Sequence, residues 1–352
     1  MEESSLYLIN KLKKERQLKL EEYRQLIEGY SPHTAEYAAR EAVEVRKRIY
    51  GNKIYIRGLI EISNICKNDC YYCGIQRSNL NCDRYRLSKE EILECCRERS
   101  ELGFRTFVMQ GGEDGYFTDE ILCDIVSQIH QKFPDCAITL SLGERSKESY
   151  QKLFDAGAGR YLLRHETAEK KHYEKLHPEQ MSFEHRIQCL INLQEIGYQV
   201  GCGFMVGSPY QTAESLAKDL KFIEKFKPDM CGIGPFIPHK DTGFREEKAG
   251  SVELTCYLLS LIRLMHPNIL LPATTALGTL EEKGREKGIL AGANVVMPNL
   301  SPVAVRKKYE LYNNKVSNGK ESAQGLEELK ADMKGIFYEV VCERGDIIRP
   351  MQ

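Results

Sequence analysis

Cys66, Cys70 and Cys73 stand in the stretch Glu61-Ile-Ser-Asn-Ile-Cys-Lys-Asn-Asp-Cys-Tyr-Tyr-Cys-Gly74. Their spacing is C-x3-C-x2-C, with the aromatic Tyr72 immediately before the third cysteine. Three thiolates can hold three irons of a [4Fe-4S] cluster and leave the fourth iron without a protein ligand. An open iron on a low-potential cluster is a place to bind a cofactor and pass one electron into it. Two other chemistries use cysteine in this way. A structural zinc takes four protein ligands; Cys82 or His165 would have to be the fourth, at a spacing that fits no familiar finger. A ferredoxin-like electron carrier uses four cysteines in a much shorter chain. A ligand count of three in a chain this long favours the open-iron cluster.

Such a loop needs a scaffold, and the sequence repeats one. Eight β-prone runs cover 54–62, 104–110, 136–142, 160–164, 198–206, 229–236, 269–275 and 293–299. Most are near-continuous apolar stretches, the signature of parallel strands buried on both faces. Helical patterns lie between them. Ser88-Lys-Glu-Glu91 is a capping box, Thr118, Ser146, Ser182 and Thr212 suit N-caps, and Gly103, Gly157 and Gly197 suit helix stops. Strand and helix alternating eight times predict an α/β fold, a (β/α)8 TIM barrel over about 53–300. An open doubly wound sheet is the alternative, weakened because no G-x-G-x-x-G follows the first strand.

The polar residues gather just after the strand ends: Cys66–Cys73, Gly111-Gly112-Glu113-Asp114, Ser141 to Glu144, Arg164-His165-Glu166-Thr167, Met205 to Pro209, His239, Thr274-Thr275 and Met297-Pro298-Asn299. In a barrel these loops emerge at one end, where active sites sit. Ordinary wet loops are the plainer reading of any single member.

The 352 residues carry 50 basic and 51 acidic side chains, a balance that argues against a general polyanion or nucleic-acid binder. No apolar run reaches the roughly 18 residues of a membrane span. Residues 1–28 lack the apolar core of a signal peptide, so a cytoplasmic location is expected. Thirteen scattered cysteines, an odd number, suit free thiols and a metal centre better than a disulfide framework, and sit comfortably in an anaerobic setting. Helices are predicted over 5–28 and 32–49, with a last one over about 322–343. The domain reading is 1–52 as N-terminal helices packing on the barrel, 53–300 as the barrel and 301–352 as a C-terminal extension.

C-x3-C-x-Tyr-C after the first barrel strand resembles the radical S-adenosylmethionine (SAM) superfamily. Arg57 to Cys66, Tyr85-Arg86-Leu87, Val108 to Asp114 and Tyr161 to Ala168 resemble the branch of biotin synthase, methylornithine synthase and the [FeFe]-hydrogenase maturase HydE. Gly232 to His239, Pro272 to Ala276 and Val295 to Asn299 look most like the maturase. The likeness spans about 35–315.

The resemblance implies the cofactors, a [4Fe-4S] cluster and SAM, and a role for each matching residue. Cys66, Cys70 and Cys73 would ligate the cluster. Gly111, Gly112 and Glu113 would hold the methionine amine, and Arg186 its carboxylate. Tyr72 would lie near adenine, Glu166 would bind the ribose hydroxyls and Met205 would lie against the adenosine. Ser141, Arg164, Thr274 and Thr275 would face the substrate. Plainer roles stand beside these: Arg186 as a surface helix arginine, Glu166 as an ion-pair partner of Arg164, Thr274-Thr275 as a turn cap, His165 and His239 as structural. Cys95-Cys96 reads as helix surface and core.

The implied activity is that of a HydE-type enzyme. It would make a 5′-deoxyadenosyl radical to modify a small iron species or cysteine-derived precursor during assembly of the hydrogenase active-site cluster. The implied partners are a small-molecule substrate, a low-potential electron donor and other hydrogenase maturases, with no nucleic acid and no membrane. Only Cys342 follows Cys256, so the second cluster of some relatives is not expected. A methylornithine synthase-like lysine mutase and a non-catalytic iron–sulfur carrier are the alternatives.

Overall fold

The computed structural model of the chain describes residues 2–317 and 322–349. Three helices come first: α1 (Glu2–Glu15), α2 (Leu20–Glu28) and α3 (Pro32–Tyr50). The single helix predicted over 5–28 is therefore two. Arg16 takes a left-handed backbone, φ +64°, and its Nη1 donates to the Leu264 carbonyl at 2.6 Å. The break turns the chain so that Tyr23 on α2 reaches Glu224 Oε2 at 2.8 Å.

The barrel follows in the order β1 (Lys53–Ile56), β2 (Gly58–Ser63), α4 (Lys89–Glu101), β3 (Thr106–Gly111), α5 (Asp119–Lys132), β4 (Ala137–Ser141), α6 (Lys147–Asp155) and β5 (Arg160–Leu162). It continues through α7 (Lys170–Leu176), α8 (Phe183–Ile196), β6 (Gln199–Cys202), β7 (Met205–Val206), α9 (Ala213–Phe226), β8 (Met230–Cys231) and β9 (Gly234–Pro235). Then come α10 (Val252–Met265), α11 (Thr275–Leu280), α12 (Gly284–Leu290) and β10 (Val295–Val296). The tail holds α13 (Val303–Arg306), α14 (Leu326–Gly335) and β11 (Glu339–Val341).

A six-stranded ladder, β2-β3-β4-β5-β6-β8, is parallel throughout. The rest of the ring is thinner. Single parallel bridges join Met230 to Leu270, Pro272 to Val295 and Leu59 to Asn299, and β10 pairs with β1. The architecture is thus a parallel sheet flanked by helices, an incomplete (β/α)8 barrel with added helices at both chain ends. The predicted seventh strand is reduced to bridges, and Pro272 within it has no N–H to give a ladder.

Three other predicted strands split: 54–62 breaks at Arg57 into β1 and β2, which join different sheets, and 198–206 and 229–236 break at glycines. Gly203 separates β6 from β7 and Gly232 stands between β8 and β9; a Cβ at Gly203 would lie 2.0 Å from the Gly232 carbonyl oxygen. Two backbones meet there at a distance no side chain permits.

The tail departs most from expectation. Helix α14 stops at Gly335, well short of 343. Phe337 is left-handed at φ +66°, and Val340 and Val341 pair with Ile54 and Tyr55 as a parallel strand. β-branched residues favour that pleated surface. Beyond it, residues 344–346 close the N-terminal end of the barrel. Asp346 pairs with the buried Arg160 at 2.5 Å, and the Gly345 carbonyl accepts from Arg57 at 3.2 Å. Among the described residues, no helix is long and apolar enough to cross a membrane.

Candidate active site

The cysteine loop leaves the C-terminal end of β2, and one arginine ties it shut. Arg84 donates to the carbonyls of Asn64 and Ile75 at 2.6 and 2.8 Å and to those of Gln76 and Asn79 at 2.5 and 3.2 Å. Four carbonyls on one guanidinium suit its planar fork of donors. Ser63 donates to Asp114 at 2.7 Å, and Arg86 grips the same carboxylate through two bonds of 2.7 and 2.8 Å. The loop is thereby fixed against the turn after β3.

That turn carries Gly111-Gly112-Glu113. A Cβ at Gly112 would lie 2.3 Å from the Ile65 carbonyl oxygen and 2.8 Å from Cys66 Cβ, so only glycine lets the two loops touch. The Glu113 N–H points at Cys66 Sγ, 3.4 Å away. Its side chain runs over Gly143, where a Cβ would lie 2.1 Å from Glu113 Cγ, and Oε1 accepts from the Glu144 N–H at 3.0 Å. Lys67 Nζ lies 3.0 Å from the buried Oε2 but off the hydrogen-bonding line, leaving that oxygen without a donor.

Tyr72 is held edge-on to His177, with its hydroxyl 3.1 Å from Nε2, and it packs with Met205, Phe236 and Phe244. Arg186, on α8, is buried, which removes the surface-arginine reading. It donates to Glu144 at 2.5 Å and to the Arg164 carbonyl at 2.7 Å. Glu166 adopts φ +64°. Its Oε2 lies 3.2 Å from Arg164 Nη2, yet neither atom is in a hydrogen bond. The pairing of Arg164 with Glu166 therefore exists, and it leaves both groups unsatisfied.

The residues assigned to substrate sit at strand ends of the same face. Ser141 ends β4 opposite Gln110 on β3. Arg164 follows β5. Thr274 occupies the N-cap position of α11, but its hydroxyl caps nothing; buried and unpartnered, it faces Gly234, where a Cβ would lie 2.8 Å from Oγ1. Thr275 begins α11.

Sequence reasoning passed over several neighbours. Met181 Sδ lies 3.7 Å from Cys70 Sγ. Tyr309 reaches back over the mouth to accept from Gln110 at 3.3 Å, and Lys315 pairs with the buried Glu61 at 2.5 Å. The basic, tyrosine-containing stretch after Pro302 was the available signal. His165 is placed away from the cysteines, between Phe204 and Phe222.

The donor set decides which metal chemistry fits. Burial pushes the Cys66 and Cys70 thiols up and Cys73 up to about 12. Among the described residues, no three His, Cys, Asp or Glu side chains converge on a point that a single ion could occupy. Three cysteines spaced C-x3-C-x2-C are one protein ligand short of a structural zinc site and match a cluster with one open iron. Beside the cysteines lie orphaned buried atoms of both charges, Glu113 Oε2, Glu166 Oε2 and Arg164 Nε and Nη2. Buried polar atoms without partners call for an explanation, and a zwitterionic ligand carrying hydroxyls supplies one.

Comparisons with known proteins agree with this geometry. The profile of the radical SAM superfamily matches residues 60–223. The [FeFe] hydrogenase maturase subunit HydE of Thermotoga maritima is 47% identical over 275 residues, 78% of each chain. The 3-methylornithine synthase of Methanosarcina acetivorans is 30% identical over 74% of this chain and 72% of its own. A crystal structure of methylornithine synthase superposes with a TM-score of 0.82 at 26% identity, covering 95% of this chain and 97% of the other.

Proposed function

The chain belongs to the radical SAM superfamily, in the branch that holds HydE-type maturases and methylornithine synthases, and from that membership we propose how its site is used. It is a radical SAM enzyme, and family membership implies a [4Fe-4S] cluster and SAM. Cys66, Cys70 and Cys73 hold the cluster. Glu113 and the Gly111-Gly112 backbone take the methionine amine, Arg186 its carboxylate, Glu166 the ribose, and Tyr72 with Met205 the adenine. When bound, cluster and SAM together supply a primary carbon radical that abstracts hydrogen. The chain's own residues orient, neutralise and exclude water. The observation that carries this reading is the contact of the Gly112 backbone with the cysteine loop, with the Glu113 N–H directed at Cys66 Sγ.

The finer reading is a HydE-type role, radical modification of a small iron- or cysteine-derived precursor of the hydrogenase cluster. It is supported by 47% identity over 78% of the chain, a wide margin over 30%. Whole-chain shape favours the second reading, a lysine mutase, because the methylornithine synthase structure covers nearly the entire chain. Gln110, Ser141, Arg164 and Thr274 would contact the substrate in either case, with Thr275 beside them.

Anaerobic reconstitution with dithionite and SAM tests the common part, the expected product being 5′-deoxyadenosine. A full cluster that releases none would mark a carrier rather than an enzyme. Hydrogenase activity in a deletion strain, set against lysine rearrangement in vitro, separates the finer readings. Lost hydrogenase activity without lysine turnover supports the maturase. Lysine turnover with hydrogenase activity preserved supports the mutase.

A further inference from the structure

The backbone around Glu166 is strained and is held by contacts on both sides. The left-handed φ of Glu166, +64°, is strained for any residue with a Cβ and persists only where surrounding contacts over-determine it. On one side the Glu166 N–H donates to the Gly203 carbonyl at 3.0 Å. Two residues on, the Ala168 N–H donates to Asp219 Oδ1 at 2.5 Å. His165, between them, accepts from the Gly203 N–H at Nδ1, 3.3 Å, which places its proton on Nε2. That nitrogen lies 3.3 Å from the same Asp219 Oδ1.

Asp219 belongs to α9, outside the barrel wall, and both it and His165 are fully buried. Phe204 and Phe222 flank the imidazole at 5.9 and 4.6 Å. Packing alone would be served better by an apolar side chain, because burying a carboxyl carries a desolvation cost. Oδ1 accepts from the Ala168 N–H, while His165 Nε2, though 3.3 Å away, and Asp219 Oδ2 are in no hydrogen bond. Burial raises the Asp219 carboxyl well above its ordinary range and lowers the imidazole to about 3. Burial thus disfavours charge on either group, and what the position supplies is an acceptor in a fixed place for the Ala168 N–H.

We propose that Asp219 is a positioning residue for SAM: by accepting from the Ala168 N–H, with His165 packed beside it, it locks the left-handed turn that aims the Glu166 carboxylate. The inference rests on the reading of Glu166 as the ribose ligand, and its test separates the two. The measurement is SAM affinity of the cluster-loaded protein, by calorimetric titration and by the change SAM makes in the EPR spectrum of the reduced cluster. Asp219→Leu keeps the volume and removes the acceptor, so affinity should fall about tenfold, with iron content and circular dichroism retained. Asp219→Asn places an amide oxygen where Oδ1 sits and should stay within about threefold of the parent. Glu166→Ala should weaken binding, and adding Asp219→Leu to it should weaken binding no further, since the two act as one unit.

Parent-like affinity in Glu166→Ala would sink the ribose reading. A weakened Glu166→Ala beside a parent-like Asp219→Leu would overturn the positioning role alone, as would an Asp219→Asn as weak as the leucine variant. If Asp219→Leu does not fold, Asp219→Ala replaces it, a smaller side chain that also lacks the acceptor. Weakened SAM binding there supports the proposal and unchanged binding overturns it.

Discussion

The two ends of the barrel both bury charge, and they settle it differently. At the floor the chain supplies its own partners. Arg160 has Asp346, the Arg344 carbonyl and Thr106, and Arg57 has the Gly345 carbonyl and Met230 Sδ. Some atoms there, Arg57 Nε and Thr139 Oγ1 among them, remain unpartnered, but the space they line is about 10 Å³, the scale of one water. At the mouth the spaces are larger, about 230 Å³ lined by Lys67, Glu113 and Glu144, and about 520 Å³ lined by Tyr309 and Lys315, and Glu113 Oε2 beside the first is in no hydrogen bond. A floor closed by its own tail serves stability; a mouth with room beside an unsatisfied carboxylate serves a ligand.

The sharpest test of this division is at the mouth. Cys70→Ala removes one ligand of a three-ligand set. After anaerobic reconstitution, bound iron should drop from about four per chain to a small residue, and SAM cleavage should fall to background. The melting temperature of the cluster-free protein should stay close to the parent's, since the Cys70 loop is tied by Arg84 and not by the Cys70 side chain. A variant that keeps its cluster would undo the assignment of the mouth.

Gly112→Ala asks whether the cradle is geometric. The added Cβ would lie 2.3 Å from a backbone oxygen, so either the Gly-Gly-Glu turn or the cysteine loop has to shift. Misplacement on the order of 1 Å at a reacting site costs about 100-fold in rate. SAM cleavage should fall by about that factor with iron content retained, as measured by 5′-deoxyadenosine release.

These mouth features were legible in the sequence because they are local. The cysteine spacing, Gly111-Gly112-Glu113 and the strand-end clustering each lie within a few residues of a continuous apolar run. The N-terminal break at Arg16, the glycine crossing of 203 and 232, and the tail's return to β1 were not. Each depends on a contact with a distant segment: Leu264 for Arg16, the two glycines for each other, Tyr55 and Arg160 for the tail. Asp219 was hidden for the same reason. On its own helix it reads as one polar residue among several, and its purpose exists only beside His165 and Ala168. Arg84 was overlooked next to the motif Tyr85-Arg86-Leu87 because the four carbonyls it binds define a loop closure that no linear pattern displays.

The floor predicts a change in stability with function spared. Asp346→Ala leaves Arg160 buried without its carboxylate. Breaking a fully buried pair costs about 3–5 kcal/mol, but Asp346 is 45% exposed, so screening lowers the expectation to about 1–2 kcal/mol. Urea unfolding measures it, and SAM affinity should stay unchanged. Burial alone would raise the Asp346 carboxyl; the hydrogen bond and charge of Arg160 outweigh that and hold it below the usual range. Its stabilisation is therefore present above the unfolded carboxylate value of about 3.9 and is lost as pH falls through the lower folded value. The parent and Asp346→Ala should converge in stability as acid is added.

The smallest effect expected is at His177, and it asks how much of the mouth is direct contact and how much is support. His177 Nε2 lies 3.1 Å from the Tyr72 hydroxyl, with Nδ1 on the Tyr173 carbonyl at 3.0 Å. The second bond places the proton on Nδ1, so Nε2 is the acceptor and the tyrosine hydroxyl the donor. Burial lowers the imidazole to about 3, which keeps that tautomer neutral across the working pH range. His177→Phe preserves the stack on Tyr173 and removes one neutral hydrogen bond, worth about 0.5–1.5 kcal/mol. SAM affinity should fall by about threefold to tenfold, with no new pH dependence between pH 6 and 8, because the group removed does not titrate there. A loss as large as that of Gly112→Ala would mean that Tyr72 depends on His177 for its whole placement, and the support around the site would then rank with the site itself.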